Sequence, residues 1–265
     1  MKSARFAVDP QHPRAPAQAV WDAMSHRERR EVVASLPSEV ERAGPPEGDA
    51  HRLPKSRSLE ALSEYYRRIR RRVYLSTELP VYYPDEPVFA PDLLAVLDVE
   101  PHERTSWVVS QEERGLDFVL EIHVSGSARK DFEENVERFA RLGIPEYFAF
   151  DPVRRRLLGW ALPAPTATAY APIIPQEGRW SSTILELDLA IDDGRLRFFH
   201  GSAPLLDASE LIARLSRMVD EATRRAEEEA RRAEEEARRA EAEARRAERL
   251  AVRLRALGVD PDREE

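Results

Sequence analysis

Alternation of apolar and polar positions is sharpest at residues 117–124, DFVLEIHV. Successive side chains of a strand point to opposite faces, so Phe118, Leu120, Ile122 and Val124 share one face. Asp117, Val119, Glu121 and His123 share the other. The first face is core; the second is solvent or a site. Comparable runs predict strands at ELPVYYP (78–84), PDLLAVLDV (91–99), EYFAFDP (146–152), RLLGWAL (156–162), AYAPII (169–174), TILELDLAI (183–191) and RLRFFH (195–200). The last two form a hairpin around an Asp-Gly turn.

Helical periodicity appears at four places. A first helix is expected from Pro16 to Leu36, followed by a loop, ERAGPPEGDAHRLPKS. In SLEALSEYYRRIRRRVYL, Leu59, Leu62, Tyr66, Ile69 and Val73 recur at helical spacing. A third helix runs from about Ala128 to Leu142 and closes at Gly143, a residue suited to the left-handed turn after a helix. From residue 208 onward the chain is helical, and residues 224–251 repeat a seven-residue unit with alanines spaced 4 and 3 apart, as a and d positions are. Two readings of this tail stay open: a solvated helix held by Glu-to-Arg i, i+4 pairs, or a homo-oligomeric coiled coil. Each alanine methyl contributes at most about 0.8 kcal/mol, so the seam is an assembly or spacing device and carries no chemistry.

These elements divide the chain into an N-terminal helix and Pro-rich linker (1–55), a mixed α/β domain (56–207) and a heptad-repeat helix (208–265). Helix, three strands, helix and further strands predict a mixed sheet flanked by helices.

Composition narrows the function classes. Cysteine is absent, which excludes disulfides, thiolate metal sites and cysteine nucleophiles. No run of about 18 apolar residues exists and the N-terminus lacks a signal-peptide pattern, so a cytoplasmic protein without membrane contact is expected. The net charge is −8, whereas a general nucleic-acid coat would be basic. Residues 221–250 hold ten Glu and nine Arg, so nearly all the excess acid lies outside the repeat. The one basic cluster, YYRRIRRR at 65–72, reads as the polar face of an amphipathic helix or as a phosphate-contacting stripe. His26, His51 and His200 lack partners at ligand spacing and are expected at the surface. The four Trp residues are scattered, as packing residues are.

Two acids stand out. Proline cannot donate to a sheet ladder, so Pro91 belongs at the first residue of its strand and sets Asp92 at the strand entrance. Glu121 lies mid-strand between Leu120 and Ile122, where a carboxylate is paired, exposed or metal-bound. Together APDLLAVLDV and FVLEIHVSGSARKDFEENVERFARLGIPEYFAFDP resemble the Uma2 family of endonucleases, within the PD-(D/E)XK nuclease superfamily. The matching parts are Pro91-Asp92, Glu121, Ser125, Ser127 and GIPEYFAFDP at 143–152, within about residues 58–162. The closing AERLAVRLRALGVDPD is similar to the C-terminal helix of that family.

The resemblance implies a restriction-endonuclease-like fold, DNA as substrate, and Asp92 and Glu121 as ligands of Mg²⁺ or Mn²⁺. It also implies a lysine beside them, and here the sequence departs. His123 occupies the position two residues after the Glu, and Asn135 aligns with the helix position that carries the lysine. On a helical wheel Asn135 faces inward with Phe132, Val136 and Phe139, while Lys130 points away unless it precedes the regular helix. Three outcomes remain: Lys130 acts from an irregular first turn, His123 substitutes, or catalysis is weak. The alternative function is a degenerate nuclease fold that binds DNA or serves as a scaffold, assembled through the C-terminal helix.

Overall fold

Residues 6–39, 48–124 and 129–257 are described by a computed structural model of the chain. Two compact units make it up, residues 1–208 and 209–265.

The first unit opens with α1 (Gln18–Asp22) and α2 (His26–Ser35) where a single helix was expected. Ser25 breaks it. Its hydroxyl accepts the Glu28 N–H, and the Glu28 carboxylate accepts the Ser25 N–H at 2.8 Å, the reciprocal pair that starts a new helix. α3 (Asp49–Ile69) then begins earlier than expected, turning half of the expected loop into helix despite Pro54 inside it. It also ends earlier. Arg70 takes a left-handed conformation (φ 58°), so Val73 opens a strand instead of a last helical turn. Tyr65 and Tyr66 are buried while Arg67 and Arg68 are exposed, which places the basic cluster on the helix's polar side.

Then follow β1 (Val73–Ser76), β2 (Val81–Tyr82), β3 (Leu93–Leu97), β4 (Trp107–Val108), α4 (Val109–Glu112) and β5 (Phe118–Ile122). A π-helical turn (Lys130–Glu134) leads into α5 (Asn135–Arg141). Next are β6 (Glu146–Asp151), β7 (Arg156–Ala161), β8 (Ala171–Pro172), β9 (Arg179–Ser182), β10 (Leu187–Asp192), β11 (Arg195–His200) and β12 (Ala203–Pro204). The short β1, β4, β9 and β12 carried no clear alternation in the sequence.

The main sheet has the order β1-β3-β5-β6-β7-β8. Only β5 and β6 pair in parallel, and the π turn with α5 forms the crossover between them, so the sheet is mixed as expected. A second, antiparallel sheet runs β12-β11-β10-β9, with the Asp193-Gly194 hairpin at its centre, and β2 pairs β4 separately. One core layer joins Leu62 and Tyr66 of α3, Phe118, Leu120 and Ile122 of β5, and Leu187, Leu189 and Phe198 of the second sheet. On the opposite side Val119, Trp107, Phe139 of α5 and Tyr147 form another layer. β3 and β6 are buried along their whole length, as central strands covered on both faces are.

Glu146 fastens the two sheets. It is 1 % exposed, and its carboxylate accepts the hydroxyls of Ser182 and Thr183 and the backbone N–H groups of Thr183 (2.7 Å) and Ile184 (3.2 Å). This explains why the run TILELDLAI becomes a strand only from Leu187: its first residues form the turn that grips Glu146.

The second unit is α6, which starts at Ala208 and continues to Ala256. It is one uninterrupted helix with Glu221–Arg225, Glu234–Arg238 and Glu241–Arg245 ion pairs along it. Its large apolar side chains, among them Ile212, Leu215, Val219, Leu250 and Leu254, are exposed. In the sequence Gly258 and Pro261 are the residues that end this helix, and both lie outside the described residues.

Candidate active site

Antiparallel pairing of β3 with β5 sets Leu93 opposite Leu120, so the strand entrance at Asp92 comes level with Glu121. The Ile122 N–H donates to Asp92 Oδ2 at 2.7 Å, and the Asp92 and Glu121 carboxyls hydrogen-bond each other. Asp92 is 5 % exposed. The two acids of the sequence expectation therefore converge.

A third group arrives from α3. His51 donates from Nε2 to Asp92 Oδ2 at 3.1 Å, so it lies at the site and not at the free surface where the sequence placed it. The cause is the early start of α3, whose residues lay in an expected loop. One turn further along the same helix face, Lys55 is buried and ion-paired with Glu78, and the Glu78 N–H donates to Pro91 O at 2.8 Å. These contacts fasten α3 across the Pro91-Asp92 entrance. His26 and His200 are exposed, as expected.

A fourth group comes from the π turn. Asp131, which the sequence reading did not single out, has its Oδ2 2.8 Å from His123 Nδ1 and accepts a long hydrogen bond from Asn135 Nδ2 on Oδ1 (3.5 Å). Tyr147 donates its hydroxyl to the Asp131 carbonyl at 2.7 Å, and the Phe132 ring stands edge-on to His123. His123 and Asn135 are both buried, 3 % and 5 % exposed, so the inward reading of Asn135 holds. Lys130 is exposed, yet its charge acts on Glu121 and favours that carboxylate. The Asn135 N–H bonds to Lys130 O, five residues back, and a wheel drawn at 3.6 residues per turn does not describe such a segment. Ser125 and Ser127 lie outside the described residues. Asp117, also on this face of β5, is spent on structure: it accepts the Leu97 N–H at 2.7 Å and pairs with Arg114.

The electrostatics are lopsided. Glu121 is held well above the usual carboxyl range, first by burial, then by the charges of Asp92 and Asp131. Burial pushes Asp92 the same way, but the hydrogen bond and charge of His51 and the Ile122 amide outweigh it, and Asp92 titrates below its ordinary value. The titrations of the two carboxyls are thus driven apart, Glu121 upward and Asp92 downward. Tyr147 is likewise raised far up, by burial and then by Glu121 and Asp131.

Two carboxylates are hard oxygen donors, the set that suits a Mg²⁺ ion retaining several of its waters. Among the described residues no group of three or more His, Asp or Glu side chains stands ready to enclose a metal, so the fit is to an open, two-acid position.

Fold and acid pair together make a mixed-sheet α/β unit in which two carboxyls meet at a strand entrance. The sequence profile of the family described as "Uma2: Putative restriction endonuclease" matches residues 28–192, more than half of the chain, and the chain belongs to the Uma2 family. No curated protein matches it. Among solved structures, one described as a putative nuclease belonging to DUF820 from Anabaena variabilis ATCC 29413 aligns at 14% identity with a TM-score of 0.47, covering 62% of this chain and 95% of that one. Among the described residues, no helix is long and apolar enough to cross a membrane.

Proposed function

We propose that the protein is a divalent-metal-dependent endonuclease that hydrolyses phosphodiester bonds of DNA at the Asp92–Glu121 pair. The observation that supports this reading best is the contact between those two carboxyls, with Glu121 pushed well above the usual carboxyl range by burial and by its acidic neighbours. Such a pair costs free energy when both members ionise, and a divalent cation removes that cost. Mg²⁺ or Mn²⁺ held by Asp92 and Glu121 would polarise the phosphate and lower the pKa of an attacking water. The remaining work falls to the chain. Asp92 is oriented by the Ile122 amide and His51, which fix one ligand oxygen before substrate arrives. Lys130, carried by the π turn, supplies positive charge towards Glu121 and the phosphate. His123 and Asp131 form a part-buried pair that holds the π turn against the end of β5.

Asn135 supports the second reading, in which the family fold is kept as a DNA-binding or scaffolding module and α6 joins copies of the chain. Its amide bonds Asp131 where the resemblance implies a lysine. Plasmid cleavage in Mg²⁺ separates the two. With Lys130 as the charge donor, wild type cuts, Glu121→Ala abolishes cutting, and Lys130→Ala lowers it by roughly 10²–10³-fold, the loss typical of one transition-state donor. Asn135→Lys then adds little. If only Asn135→Lys cuts, the wild type is a degenerate nuclease. If no folded variant cuts DNA or RNA, the endonuclease reading fails.

A further inference from the structure

The sheet face that carries Glu121 and His123 continues over two more strands. The His123 N–H donates to Phe150 O at 2.8 Å, which brings Asp151, the last residue of β6, alongside His123. Asp151 is in turn paired in register with Arg156, the first residue of β7. Neighbouring strands lie about 4.8 Å apart, so the Arg156 backbone stands roughly 10 Å from that of His123. The Arg156 guanidinium lies over the Phe132 ring, 5.2 Å from its centroid, and the same ring meets His123 edge-on at 5.5 Å. Arg156 is therefore part of the wall of the acidic site.

The β6–β7 hairpin that carries it reads Val153-Arg154-Arg155-Arg156, and all four residues are exposed. Arg154 is neutralised by Asp151, to which it donates from its backbone N–H (2.7 Å) and its guanidinium (2.9 Å). Arg155 and Arg156 enter no ion pair among the described residues, and Arg155 is set in a left-handed turn conformation (φ 51°). The Arg155 guanidinium lies against Gly194 of the β10–β11 hairpin, whereas that of Arg156 stands unneutralised beside a cluster of carboxylates, against the charge of a chain that is net −8. In the basic cluster at 65–72 three of the five arginines are paired, Arg67 with Glu64, Arg71 with Glu186 and Arg72 with Glu100.

We propose that Arg156 forms a contact for the phosphate backbone of the nucleic acid, on the strand flanking the bond that is cut. The proposal rests on the nuclease reading for its substrate. At a rise of about 3.4 Å per nucleotide in one strand, roughly 10 Å sets a phosphate at Arg156 about three nucleotides from one at His123, on the edge of the acidic site. Guanidinium groups suit this task because their planar fork binds two phosphate oxygens at once. The contact is independent of base sequence, so it sets affinity and register without setting specificity.

The test is equilibrium binding of the full-length protein to a short fluorescent DNA duplex in EDTA, by anisotropy, over a series of NaCl concentrations. Each lost phosphate contact lowers the slope of log K against log salt by about 0.9. Arg156→Ala should therefore bind less tightly with a slope shallower by about 0.9. Arg156→Lys, which keeps the charge, should retain most of the slope, and Arg155→Ala and Arg67→Ala/Arg68→Ala should retain all of it. A wild-type slope in Arg156→Ala, a loss confined to the α3 variant, or a wild type that shows no salt-dependent binding overturns the proposal. Cleavage is read separately. A protein that binds with this slope but never cuts keeps the contact and loses the nuclease; one that cuts while Arg156→Ala binds like wild type does the reverse.

Discussion

Glu121 is where the energetics of the site concentrate. A carboxyl whose folded pKa is raised binds a proton more tightly in the folded than in the unfolded chain. Folding stability therefore falls as pH rises from the unfolded Glu value, about 4.3, through the raised folded value. Asp92 contributes with the opposite sign. Its lowered pKa adds stability above about 3.9, the unfolded Asp value, and that share is lost only as pH falls through the folded value. In chelator, Glu121→Gln should thus be more thermostable than wild type at neutral pH and should lose most of the decline with rising pH between pH 5 and 8. Equal melting curves across that range would contradict the raised titration of Glu121. Metal supplies the converse test. Millimolar Mg²⁺ or Mn²⁺ should raise the melting temperature of wild type by mass action, and Asp92→Ala should remove the rise. Both acids were legible in the sequence, Asp92 from the proline before it and Glu121 from its place on an alternating strand. Asp131 and His51 were not. One reaches the site through a π turn and the other through a helix begun inside a Pro-rich stretch, and neither feature leaves a periodic signal.

At the scale of elements, boundaries decided what could be foreseen. The long strands β3, β5, β6, β10 and β11 announced themselves by alternation or by unbroken apolar runs. β1 did not, because Val73 continues the apolar spacing of α3 and only the left-handed Arg70 ends the helix. The break between α1 and α2 was written in the sequence as Ser25-x-x-Glu28 and is visible once a Ser or Thr three residues before a Glu is sought inside a helical run. Removing the Ser25 hydroxyl leaves a backbone donor of α2 without its cap. Ser25→Ala should cost about 1 kcal/mol, which for a unit of this size is a drop of about 2–4 °C in melting temperature. A drop of the same size in Glu28→Gln, which keeps the reciprocal bond, would point to charge at the helix start instead of the cap.

For the whole molecule, the division at residue 208 carries the main expectation. α6 has no buried residue among those described, and Glu221–Arg225, Glu234–Arg238 and Glu241–Arg245 are ion pairs within the helix. Deleting residues 222–265 should leave the melting temperature of the remaining α/β unit within a few degrees of its value in the full chain. Light scattering then decides the tail's role. An oligomer that becomes a monomer on truncation supports the coiled coil, and a full-length monomer leaves the solvated helix. The heptad was plain in the sequence because alanine and charge alternate in it without interruption. Its partner was not, since an alanine seam with glutamates on both flanks specifies little about what packs against it.

The grip of Glu146 on the turn after β9 bears on how the α/β unit opens. Backbone amides in turns commonly exchange with solvent during small local fluctuations. Those of Thr183 and Ile184 are bonded to a buried carboxylate of another sheet, some 37 residues earlier in the chain. Releasing them requires the two sheets to part. In a native-state deuterium-exchange experiment this turn should keep its hydrogens as long as the central strands do, marking both sheets as one cooperative unit.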